Sequence, residues 1–147
     1  MANMKIDDSN VFHDPENPEV GNSYNGIFVE TIDDVTEANV IWGETEVAFV
    51  IDDNDWWIIS GASLRLEDNV VLKFRPYAAL SLSEGPSALI NYNGPGVFFT
   101  SYKDDSKKGD TNGDDDSTAP TEADWYGIYD DNGFKMMDWA NILYNEF

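Results

Sequence analysis

From Ile27 onward the chain is written in short apolar runs, IFVETI, VIW, VAFVI and WWII, separated by the acidic turns DDVTEAN and DDND. Runs this short, rich in Val, Ile, Phe and Trp and bounded by Asp, Asn and Gly, read as strands; none is long enough for a stable amphipathic helix. Between Ser60 and Phe99 the alternation becomes strict at Leu64 and Leu66, at Val70, Leu72 and Phe74, and at Leu80 and Leu82. Period 2 puts each set on one face and turns Arg65, Lys73 and Ser81 outward. Gly61, Pro76, Gly85, Pro86, Gly94, Pro95 and Gly96 supply corners. The pattern predicts an all-β fold wound either as a β-solenoid or as a β-sandwich, and periodicity alone does not choose between them.

The ends differ in texture. Residues 1–26 are polar, carry Pro15 and Pro18, and read as an N-terminal arm or cap; residues 27–147 form the β domain. The only histidine, His13, lies in the arm and reads as a solvated or capping residue. Near the C-terminus, Phe134 and Met136 read as a strand after an Asp-Asn-Gly turn, and DWANILYNEF reads as one more strand rather than a helix capped by Asp138.

Composition narrows the partners. A formal charge of −21, from 29 acidic against 8 basic residues, repels nucleic acid and anionic membrane surfaces and favours cations. Cysteine is absent, so neither disulfides nor thiolate metal sites are available. No run reaches the about eighteen apolar residues that span a bilayer, so no membrane insertion is expected. The N-terminus has no apolar signal-peptide region.

Candidate chemistry is concentrated in an acidic insertion, residues 101–124, between the strand-like Val97–Phe99 and Trp125–Ile128. From Ser101 to Ile128 it carries eight carboxylates. Asp110, Asn112 and Asp114 stand at positions 1, 3 and 5 of a D-x-N-x-D run, the spacing that lets successive oxygen-bearing side chains converge on one ion. Asp116 offers a carbonyl, and Asp104, Asp105 or Asp124 can close the shell from the ends of the loop. A full EF-hand match fails, because the sixth position is Asp115 and the twelfth Thr121. An all-oxygen set of this kind suits calcium better than magnesium, zinc or copper, and calcium chemistry with this acidity points to an extracellular setting. The bland alternative is a solvated acidic loop. Asp33-Asp34 and Asp52-Asp53-Asn54-Asp55 are explained by turn formation.

Several of these segments together carry a resemblance: Gly61-Ala62-Ser63-Leu64, Val70-Val71-Leu72-Lys73-Phe74, Phe99-Thr100-Ser101, Asp104-Asp105-Ser106, Gly109-Asp110-Thr111-Asn112-Gly113-Asp114 and Asp124-Trp125-Tyr126-Gly127-Ile128. In order and spacing they resemble the opening coils of bacterial right-handed parallel β-helix surface or secreted proteins. The resemblance implies a short right-handed parallel β-helix, an extracellular or cell-surface location, and an acidic loop that projects from the solenoid wall. A single His and the lack of a Gly-rich phosphate loop leave no nucleophilic or phosphate-handling motif, so the expected role is structural or adhesive and not enzymatic. A head-to-tail filament made through open solenoid ends, a carbohydrate-binding module and a polysaccharide-lyase-like fragment are the alternatives. For carbohydrate, the candidate aromatics are Trp56, Trp57, Tyr102 and Trp125, with Trp42, Tyr77, Tyr92 and Tyr126 as further members of a platform.

Overall fold

The computed structural model describes residues 2–52, 54–115 and 117–147. Its strands run in chain order: β1 (His13–Asp14), β2 (Asn17–Gly21), β3 (Gly26–Val29), β4 (Val40–Trp42), β5 (Ala48–Ile51), β6 (Asp55–Ile58), β7 (Leu64–Leu66), β8 (Val71–Phe74), β9 (Ala79–Leu82), β10 (Leu89–Ile90), β11 (Phe98–Ser101), β12 (Gly127–Asp130) and β13 (Lys135–Met136). Among the described residues the only helical element is a single 3-10 turn at Pro86–Ala88.

These strands wind into a parallel β-solenoid. Three sheets form its walls, in the orders β4-β7-β10, β3-β5-β8-β11 and β6-β9-β12-β13. Every pairing in them is parallel except β12 with β13, so each strand lies on the equivalent strand of the next coil. The β-sandwich alternative is thereby excluded, since face-to-face sandwiches are built from antiparallel neighbours. Three coils follow: β4-β5-β6, β7-β8-β9 and β10-β11-β12. A partial coil, made of Ile6, β3 and Val35, precedes them through parallel bridges of Ile6 to Trp42 and Val35 to Ile58.

Alternation sets the core. Phe49, Leu72 and Phe99 stack in one ladder, Val40, Leu64 and Leu89 in a second, and Trp56, Leu80 and Ile128 in a third. All are buried. In the first full coil, one aromatic from each wall meets at the centre: Trp42 stacks on Phe49 at 4.4 Å and on Trp56 at 5.3 Å between centroids. Between the next two coils, Trp125 lies parallel to Phe74 at 4.1 Å.

Local chain covers the C-terminal end and part of the N-terminal end, where β3 remains an edge strand. At the N-terminal end the Asn3 side chain accepts from the Thr36 and Glu37 backbone N–H groups at 2.8 and 3.1 Å. At the C-terminal end β13 folds back antiparallel on β12, and the tail, expected as one more strand, turns at residues 140–141 and meets the wall only through isolated parallel bridges of Ile142 to Phe99 and Asn145 to Trp125. Trp139 stacks on Tyr92 at 3.9 Å. Phe134, expected within a strand, instead occupies the preceding turn at φ 51 and is 81% exposed.

Two outward residues are corrected. Ser81 is buried because its ladder neighbours on either side are the larger Trp57 and Tyr129. Lys73 is fully buried because the acidic insertion lies on top of it.

Candidate metal centre in the acidic loop

The insertion leaves the wall at the end of β11 and returns at the start of β12. Two aspartates pin its ends. Asp104, 2% exposed, accepts from the Thr100 hydroxyl at 2.7 Å and the Ser106 hydroxyl at 2.5 Å. Asp124 accepts from the Lys103 ammonium (2.9 Å), the Thr121 hydroxyl (2.9 Å), the Thr121 N–H (3.0 Å) and the Ser101 hydroxyl (2.8 Å). Burial pushes the Asp124 carboxyl up, and these donors more than offset it, holding it below the ordinary 3.8.

Between the pins the chain folds down onto the outer face of β5, β8 and β11 rather than projecting from it. Val50, Lys73 and Thr100 occupy neighbouring positions on that face, and all three are buried. Lys73 Nζ donates to the Gly109 carbonyl at 2.6 Å and to Thr111 Oγ1 at 3.1 Å. Thr111, fully buried, donates a hydrogen bond from its hydroxyl to the Tyr102 carbonyl at 2.7 Å. Desolvation pushes the Lys73 ammonium down to about 8, against the opposing pull of Asp105, Asp104 and Asp110.

The loop also reaches the N-terminal coils. The Asn25 N–H donates to the Asp110 carbonyl at 2.8 Å, and its side-chain amide donates to the Lys108 carbonyl at 3.3 Å. Lys108 Nζ donates to the Thr45 carbonyl at 2.5 Å. Two glycines permit the close approach. A Cβ on Gly26 would lie 2.9 Å from Val50 Cγ2 and 3.3 Å from Thr111 Cγ2, and one on Gly113, at φ 73, would lie 2.7 Å from the Tyr24 ring.

At the crown of the loop, Asp105, Asp110 and Asp114 each offer a carboxylate oxygen, all within 4.8 Å of one another, and all three residues are half-buried. Asp110 accepts backbone N–H groups from Asn112 (3.0 Å), Gly113 (2.6 Å) and Asp115 (3.1 Å). Burial raises its carboxyl, and these N–H groups outweigh that and keep it below its ordinary range. Asp114 Oδ2 accepts from Asn112 Nδ2 at 2.9 Å and from the Thr118 hydroxyl at 2.5 Å. The Asn112 Oδ1 is buried with no hydrogen-bond donor.

This geometry fits a hard cation. Three carboxylates repel each other at this spacing, and a buried amide oxygen without a donor is costly. A cation bound to both groups removes both costs. Asp105, Asp110, Asp114 and Asn112 are the residues able to hold it. Asp104 and Asp124, expected as closing ligands, lie outside this converging trio and hold the two ends of the loop instead. Asp116 lies outside the described residues.

Among the aromatics, Trp56 and Trp125 are core rings and present no face to a ligand. Trp57 is half-exposed on the outer face of β6. Tyr102 is half-buried, with the Arg75 guanidinium 5.6 Å from its ring centroid, and Arg75 pairs with Asp52 at 2.7 Å. His13 pairs through Nδ1 with Glu46 at 2.6 Å.

Lys73, Thr111 and Asn25 were not legible as parts of this site. The available signal was a lysine inside the otherwise apolar run VVLKF, one ladder step from the strand that opens the loop. No family model matches the chain, and no curated protein or solved structure is significantly similar to it.

Proposed function

We propose that the chain is a non-enzymatic structural or adhesive module of a bacterial surface or secreted protein, whose coils are clamped together by a calcium-held loop. The observation that carries this reading is the convergence of Asp105, Asp110 and Asp114 to within 4.8 Å beside the donorless Asn112 Oδ1. Calcium takes six to eight oxygens at about 2.3–2.6 Å in flexible geometry and binds extracellular modules weakly, as befits a site assembled on a loop. Two basic residues of the coils are engaged, Lys73 beneath the loop and Arg75 with Asp52, which speaks against a lyase face built on them. Calorimetric titration of calcium into chelator-treated protein tests the reading. The expected result is one site per chain that is lost in Asp110→Ala and Asp114→Ala; heat unchanged in both variants would refute the ligand set.

Head-to-tail assembly is a second reading, favoured by β3. It is the edge strand of its wall, with Phe28 exposed and Ile32 beyond it 85% exposed, and such an edge invites pairing with another chain. Light scattering at rising protein concentration checks it, and a monomer throughout would remove it.

A further inference from the structure

The corner between β8 and β9, the two ends of the insertion and the C-terminal tail line a groove of about 410 Å³. Its lining includes Pro76, Tyr77, Tyr126, Lys103, Asp124 and Glu146. Tyr77 is 69% exposed and Tyr126 is 41% exposed, with ring centroids 6.0 Å apart and planes inclined at 60°. Neither ring is needed to fill the core. Tyr77 also sits at φ 67, where a bulky side chain pays a conformational penalty that an exposed ring does not repay through packing.

We propose that this groove is a subsite for an uncharged oligosaccharide of hexopyranose units. The apolar face of a pyranose stacks on an aromatic ring, while flanking polar groups meet its hydroxyls. Two rings inclined at 60° cannot both lie flat on one sugar, so each serves a different unit of the chain, and a monosaccharide engages only one. Charge sets the class. The only cation of the lining, Lys103, is neutralised by Asp124 at 2.9 Å, and Glu146 with the overall charge of −21 repels uronates and sulfated sugars. Glu146 and the two phenols are left to receive and donate to neutral hydroxyls.

The inference rests on no part of the cation site, so each fails separately. The test is NMR titration of the intact protein, in calcium and in chelator, with cellotetraose, mannotetraose and chitotetraose, with glucose and tetragalacturonate as comparison probes. Shifts at Tyr77, Tyr126 and Glu146 by at least one neutral tetrasaccharide, tighter than glucose and absent with tetragalacturonate, are expected. Tyr126→Ala should weaken binding about tenfold, as loss of one stacking contact does. Tyr77→Gly should do the same while raising the melting temperature, because glycine relieves the strained backbone. No shifts from any neutral probe at millimolar concentration, or equal binding by the wild type and both variants, would overturn the proposal.

Discussion

Lys73 shows how a single side chain decides where the acidic loop goes. It is placed outward by strand alternation, yet is fully buried, and its ammonium is satisfied by Gly109 and Thr111 of the loop. Replacing it with Met strands a buried carbonyl and a hydroxyl lone pair, for an expected loss of about 1–3 kcal/mol in denaturant unfolding. Its titration has an unusual sign. The folded group releases its proton near 8 and the unfolded one near 10.5, so between these values the unfolded chain binds more protons. Stability contributed by Lys73 therefore rises with pH across that window, and Lys73→Met should flatten the rise. Asp110 and Asp124 work in the opposite range. Both are held below the ordinary 3.8, so the stability they add is present above that value and is lost as the pH falls through their folded values. Acid unfolding monitored by Trp fluorescence should begin at higher pH in Asp124→Asn than in the wild type.

At the scale of elements, the insertion is a strap. In a solenoid each coil touches only its neighbours, so the end coils fray independently of the far end. Here a loop from the coil of β11 holds β8 through Lys73, Thr45 before β5 through Lys108, and Asn25 before β3. It thus couples the first strand of the wall to the last. Gly26→Val should break the coupling by driving a side chain into Val50 and Thr111, and limited proteolysis should then cut within residues 22–35 before any other region. Much of this architecture could be read from the chain. The alternation at Leu64, Leu66, Leu72 and Phe74 and the corners at Gly61 and Pro76 marked the strands, their inward faces and their ends, because those positions answer to local pleating, but left solenoid and sandwich open. The D-x-N-x-D run pointed to Asp110, Asn112 and Asp114 by spacing alone. What escaped depends on contacts remote in sequence: the burial of Lys73 under Gly109, the tie of Asp124 to Ser101 and Lys103, and the loss of Trp125 to a stack on Phe74. Spacing along one segment carries no information about what lies across from it.

At the scale of the whole molecule the chain is a short parallel solenoid strapped across its coils by the acidic loop, and the proposed calcium ion would tighten that strap. Calcium that binds only the folded chain adds about 2.7 kcal/mol when present at a hundred times its dissociation constant, which should raise the melting temperature by about 5–10 °C. Removing the strap's anchors should cancel that gain without unwinding the core ladders, which rest on apolar stacking. The most direct measurement is amide hydrogen exchange across β3, β5, β8 and β11, in calcium and in chelator, for the wild type and Asp110→Asn. The account predicts that calcium slows exchange at Ile27–Val29 and at Gly109–Asn112 together, and that Asp110→Asn abolishes both effects. Identical exchange with and without calcium, or slowing confined to the loop while β3 is unchanged, would contradict it.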